Sequence, residues 1–252
     1  MDDFSFRGYD LSRFGAEAAF GESMRCGTKI ARGEYALPGG GSVILGEDAY
    51  SPIQRQVTII PTQGEATPAW RRRILAWLQG GRGEMVVHND PDVMRMVQFD
   101  GESTLDNKAW PRGAIVTTMT LKPLAYDRMP TTMTAQTSGG VASVSVQAPS
   151  ALPMPIAIKV TATGGMITGM RIEAGKGTLI LEGMSLAAGE TVAYDAGQTL
   201  DDPMSLTVND AASFASVARW AELTALPGDK VNVTLTGGEG SVSVRVRGRW
   251  PD

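Results

Sequence analysis

The sequence predicts a mainly β protein in two parts, an N-terminal β-rich domain with one short α-helix and a C-terminal antiparallel β-sandwich. Three observations carry that prediction. Runs rich in β-branched residues alternate with period two along almost the whole chain. Glycine is frequent, 30 of 252 residues, and Gly-Gly, Ala-Gly and Pro-Gly pairs separate the runs. Only one segment has a helical hydrophobic period of useful length.

The elements follow in order. Phe4 and Phe6 flank Ser5 in an opening strand that turns at Gly8. Residues 34–37 and 42–45 stand on either side of Gly39-Gly40-Gly41, which reads as a long hairpin with a glycine tip. QVTIIP, residues 56–61, is a further strand. The helix then begins in TPAWRRRILAWLQGG: Thr67 suits an N-cap and Pro68 the first helical position. Trp70, Ile74, Trp77 and Leu78 share one face, and Gly80 or Gly81 can end the helix in a left-handed conformation. Strands resume at 84–88 and 93–99 around a turn at Asn89-Asp90-Pro91-Asp92, and at 114–121, with Pro123 as the stop.

Residues 129–155 lose large apolar side chains and gain Thr, Ser, Gly and Pro, with one strand candidate at 142–147. The reading is therefore a first domain at 1–130, a linker at 131–155 and a second domain at 156–252. In the second domain, runs at 156–163, 166–173, 178–181, 191–195, 205–209, 231–236 and 242–249 are the expected strands. So many short strands at this spacing predict an antiparallel sandwich.

Composition narrows the function. The net charge is −4, whereas duplex binding rests on a basic excess; no sequence-specific nucleic-acid partner is expected. The single cysteine, Cys26, excludes an intrachain disulfide. MDDFSFRGYDLSRF has neither a basic n-region nor an apolar h-region, so no signal peptide is expected. No run of about 18 apolar residues predicts a membrane helix.

Chemistry-bearing residues are few. His88 has no second histidine to join in metal binding, and no positioned nucleophile to serve as base. Asp90 and Asp92, and likewise Asp201, Asp202 and Asp210, could pair as carboxylates or ligate calcium, but turn chemistry explains them and no EF-hand spacing is present. Gly39, Gly40 and Gly41 lack the Lys-Ser/Thr of a phosphate loop. Cys26 has no histidine nearby to lower its pKa. Tyr194, Phe214, Trp220 and Trp250 could stack sugars but suit core packing and strand-end anchoring better. Neither catalysis nor a cofactor nor a metal is expected.

The order of pieces resembles one family. FSFRGYDLSRFG is an aromatic strand followed by a short turn and Phe-Gly. QVTIIP, AWRRRILAWL, EMVVHNDPD, VMRMVQFDG and AIVTTMTLKPLAYD follow in sequence, and LPMPIAIKVTATG, GETVAYDAG, LPGDKVNVTLTG and VRVRGRW complete the second half. The specificity lies in the order of many weak signals, and together they resemble the siphophage distal tail proteins. That resemblance implies an N-terminal ring-forming domain and a C-terminal, galectin-like sandwich. It implies a homo-hexameric ring in the virion tail tip, made in the host cytoplasm and joining the tail tube protein to a tail-tip or tail-associated protein. Within that picture the hairpin, with Tyr35, Leu37, Gly39, Gly40, Gly41, Val43 and Leu45, is a candidate intersubunit arm. Arg71, Arg72 and Arg73 are a candidate interface patch. The alternative is a glycan-binding two-domain β adhesin or lectin module.

Overall fold

A computed structural model of the chain describes residues 3–21, 30, 31, 34–36, 42–44, 49–106, 111–199 and 202–251. They divide into two compact units, 1–128 with 250–252, and 129–249.

The first unit is built on one antiparallel sheet. The unit's strands, not all of them in that sheet, are β1 (Phe4–Phe6), β2 (Tyr9–Asp10), β3 (Ala16–Phe20), then β4 (Ile30–Ala31), β5 (Glu34–Ala36), β6 (Ser42–Ile44) and β7 (Ala49–Tyr50), and β8 (Ile53–Pro61). After helix α1 (Pro68–Leu78) come β9 (Gly83–Val87), β10 (Asp90–Asp106) and β11 (Ala114–Asp127). The sheet order is β2-β1-β9-β10-β11-β8-β3. β1 and β2 are joined by Arg7 and Gly8, at φ 51° and 77°, the two positive values that a two-residue hairpin turn requires.

α1 starts where its capping residues put it. The Thr67 hydroxyl accepts the Trp70 N–H at 3.2 Å, and Pro68 occupies the first turn. Its apolar face lies on the sheet: Ile74 and Leu78 are buried with Phe4, Phe6, Val97, Phe99 and Ile115, each large side chain contributing about 1.5–3 kcal/mol. Trp70 and Trp77 sit at the rim of that face and send their indole N–H groups to the carbonyls of Phe14 (2.9 Å) and Phe6 (3.2 Å).

The second unit contains β12 (Thr131–Gln136), β13 (Val141–Ser145), β14 (Met154–Ala174), β15 (Gly177–Leu186), β16 (Thr191–Asp195), β17 (Ser205–Val208), β18 (Ala211–Ala212), β19 (Val217–Arg219), β20 (Thr224–Ala225) and β21 (Lys230–Val246). Two long strands organise it. β14 and β21 pair from Ile156↔Val246 to Ala162↔Gly240, shift register, and pair again from Gly169↔Thr236 to Glu173↔Asn232. The first stretch carries β12 on one side and β16, β17 and β18 on the other. The second carries β13 on one side and β15 and β19 on the other. The sheet therefore folds over itself, and both leaves feed one core, in which Ile158, Val160 and Val244 of one leaf join Val144, Ile172 and Leu179 of the other.

Glycine makes the fold-over possible. Gly165 and Gly237 have φ of 69° and 89°, and a Cβ on Gly237 would stand 2.6 Å from the Met166 carbonyl oxygen. The corner is closed by Glu239, whose carboxylate accepts the Thr137 hydroxyl and, at 3.0 Å, the Gly140 N–H. Those two donors hold the Glu239 carboxyl below the ordinary carboxylate range.

Several expectations are corrected. Residues 131–155 are not a linker: β12 and β13 lie in the second sheet, and Ala142, Val144, Val146 and Ala148 are buried. Small apolar residues fill that part of the core, so the scarcity of large ones does not mark exposure. The second domain does not run to residue 252, because a last strand, β22 (Arg249–Pro251), returns to pair with β11, and the Trp250 indole N–H reaches Asp127 Oδ1 at 2.8 Å. Pro123 does not end β11; it lies where the pairing with β10 slips register between Leu121 and Ala125, an irregularity that tolerates a missing N–H. The β9–β10 turn is His88-Asn89, since Asp90 already pairs with Val87.

Two measurements check this account. Gly237→Ala is expected to lower stability by roughly 1–3 kcal/mol in urea unfolding, from left-handed backbone strain combined with the carbonyl clash. Glu239→Gln is expected to be less stable than the parent at neutral pH. A carboxylate with a depressed folded pKa contributes stability above its unfolded pKa and loses it as pH falls through the folded one. The difference between the two proteins should accordingly narrow in acid unfolding curves below the ordinary carboxylate range.

Candidate assembly surfaces

Between β3 and β8 the described residues form two separate strand pairs. β4 pairs with β7 through Ile30↔Tyr50 and Ala31↔Ala49, and β5 pairs with β6 through Glu34↔Ile44, Tyr35↔Val43 and Ala36↔Ser42. Among the described residues, neither pair joins the eight-stranded sheet. Tyr35 and Val43 of the candidate arm are thus direct cross-strand partners. Leu37, Gly39, Gly40, Gly41 and Leu45 lie outside the described residues, as do Cys26 and Asp201. A two-stranded ribbon is marginally stable in water by itself and gains from a surface to lie on. β3, the strand that precedes the two pairs, is an edge strand, paired on one side with β8 and with nothing on the other among the described residues. An open edge of five residues is a template for further pairing.

The arginine run on α1 is divided among different tasks. Arg71 Nε donates to the Ala66 carbonyl at 2.6 Å, across the start of the helix. The Arg73 guanidinium stands 5.9 Å from the centre of the Phe14 ring. Arg72 is exposed. Two of the three side chains therefore have a contact within their own unit, while Arg72 and Arg73 are both exposed to solvent.

The chemistry-bearing side chains do not converge. His88 Nε2 is 2.8 Å from Asp10 Oδ1, and its Nδ1 is 3.6 Å from Asp3 Oδ2. The carboxylates meet opposite nitrogens of the ring, so the three groups cannot point their lone pairs at one ion. Asp90 pairs with the buried Arg95 at 3.2 Å, and Asp202 accepts the Thr199 N–H at 2.9 Å. Asp210 is in the left-handed region at φ 62° beside Asn209 at 50°, a two-residue turn between β17 and β18. Among the described residues no three His, Cys, Asp or Glu side chains are grouped to hold a metal. No described helix is long and apolar enough to cross a membrane.

The aromatics divide into core and surface. The Tyr194 hydroxyl donates to the Ala221 carbonyl at 2.9 Å and accepts the Leu223 N–H at 3.1 Å, and burial pushes its pKa up. Trp220 meets the Tyr194 ring edge-on at 5.4 Å, and Phe214 lies 5.6 Å from Trp220 and is exposed. Trp250 anchors the returning strand β22.

The sequence alone missed a trough on the outer face of the β12-β21-β14-β16-β17 leaf, about 410 Å³ in volume, whose walls include Lys159, Asp195 and Arg245. These side chains are far apart in sequence, and only strand register brings them together.

No family model matches the sequence, and no curated protein matches it. Solved structures do. The chain is similar to the Dit protein of phage SPP1, described as a paradigm of the hub adsorption apparatus in phages that infect Gram-positive bacteria. The TM-score is 0.69 at 14% identity, with 99% of each chain covered. It is also similar to a chain of the phage p2 baseplate in its activated conformation, with a TM-score of 0.50 at 7% identity and 98% of each chain covered. From end to end, then, this chain has the fold of the SPP1 Dit protein, the fold that its resemblance to the siphophage distal tail proteins implied.

Proposed function

We propose that the chain is a structural, non-catalytic virion protein: a distal tail hub that joins the tail tube to the tail-tip or baseplate proteins. The observation that carries this reading is the full-length likeness to the SPP1 Dit protein, which spans both units. The p2 baseplate chain points the same way. The assembled form is a homo-hexameric ring formed through the first unit, and its direct neighbours are the tail tube protein on one side and a tail-associated protein on the other. Cyclic assembly needs a heterologous interface, in which one patch meets a different patch on the next copy. The strand pairs β4–β7 and β5–β6 and the open edge of β3 are different patches that main-chain pairing can join. Arg72 is available to contribute at the margin of such a contact.

Light scattering after size exclusion tests the ring. Six copies of a 26.7 kDa chain weigh about 160 kDa, and that mass is expected for the intact protein alone; a hexamer formed with its tail neighbours weighs more by their mass. Removing residues 38–42 is expected to lower the oligomeric state while leaving the second unit's unfolding transition in place. A monomer under all these conditions defeats the ring. Hexamers that survive the deletion leave the ring standing and move its interface elsewhere.

A further inference from the structure

The trough on the second unit is a built feature of strand register. One row crosses the leaf as Thr132, Arg245, Ala157, Asp195 and Ser205, each the cross-strand partner of the next. The neighbouring row, two residues along, runs Ser243, Lys159, Ala193 and Thr207. Ala157 and Ala193 fall at the centre, and their missing bulk leaves the depression. Short hydroxyl side chains stand at both ends.

The charges are arranged asymmetrically. Asp195 is spent: Oδ2 holds the Arg245 guanidinium at 3.0 Å, and Oδ1 accepts the Gly197 N–H at 2.9 Å. Arg245 is thereby oriented with other donors of its five to offer. Lys159 is exposed and has no partner among the described residues. A chain of net charge −4 thus presents one excess positive charge in this trough. No aromatic ring is offered to stack a neutral sugar: the Tyr194 side chain is buried beneath the leaf. No large apolar side chain is exposed here to anchor a peptide.

From this we infer that the outer face of the β12-β21-β14-β16-β17 leaf binds a polyhydroxylated chain bearing anionic groups, phosphate or carboxylate. Lys159 and Arg245 take the charge, and the Thr132, Ser205, Thr207 and Ser243 hydroxyls meet the ligand's own. The volume accommodates a short stretch of such a polymer, since ligand sites run from about 300 to 1,000 Å³.

Isothermal titration of the full chain at low salt tests the inference, whatever the oligomeric state of the protein. The probes are glycerol-phosphate oligomers, oligogalacturonate, neutral dextran and polyglutamate. Binding of the phosphate or the carboxylate polyol, weakened by salt, is expected, and the stronger of the two identifies the anionic group. Lys159→Glu should weaken it by at least about tenfold, and Ala193→Trp, which fills the trough, should abolish it. The unfolding midpoints of both variants should match the parent. No binding by either polyol, equal binding by dextran or polyglutamate, or binding unchanged in both folded variants would each overturn the inference.

Discussion

The second unit depends on one interaction, the pairing of β14 with β21. Those strands are 21 and 17 residues long, and a sheet of such strands left flat would expose both faces of its central ladder. The glycine corner at Gly164, Gly165, Gly237 and Gly238 lets the same ladder serve two leaves. The alternation of side chains, inward at Ile156, Ile158 and Val160 and again inward at Met170 and Ile172, is resumed across the bend after a register shift. The bend decides the rest: where the core closes, which residues face outward, and how the outward rows align into a trough. At Gly165, Gly237 and Gly238 the close approach of two backbones leaves no room for a Cβ atom, so the residues that look least informative in composition set the geometry.

Elements with a local physical cause were readable before the structure. The helix is the clearest case. Its cap, its first-turn proline and the Trp70, Ile74, Trp77, Leu78 face depend on neighbours within a few residues, and they appear as expected. The strand phases in the second unit were readable for the same reason. What the sequence concealed was non-local. Gly164-Gly165 and Gly237-Gly238 read as turns between separate strands, because a tight turn and a bend within one strand ask for the same backbone freedom. Residues 131–155 read as a linker with one possible strand at 142–147 because Ala, Thr and Ser dominate them; that strand is present as β13, and 131–136 is a strand too, since a core already supplied with Ile and Leu from β14 and β15 needs only small partners there.

The candidate sites divide along the same line. Arg71, Arg72 and Arg73 read as one patch, yet consecutive helical residues point about 100° apart, and the three met a carbonyl, solvent and an aromatic ring in turn. His88 read as a solitary residue and is found between two carboxylates, one contributed by the residues just before β1 and one by β2. The trough had a signal in the sequence, the polar phase of each strand, Thr132 with Thr134, Lys159 with Thr161, Ser243 with Arg245. That phase became a surface only once register had aligned five strands.

The return of β22 to β11 has a consequence for the birth of the molecule. The chain is synthesised from its N-terminus, and domains fold as they emerge. Here the partner of β11 is made about a hundred residues later, after the whole of the second unit has been completed. During synthesis the first sheet lacks that strand, and the Trp250–Asp127 hydrogen bond, until residues 249–251 have been made. Contacts so distant in sequence close slowly. A nascent chain released before residue 249 would carry all the strands of the second unit but would lack the strand that pairs with β11 in the first.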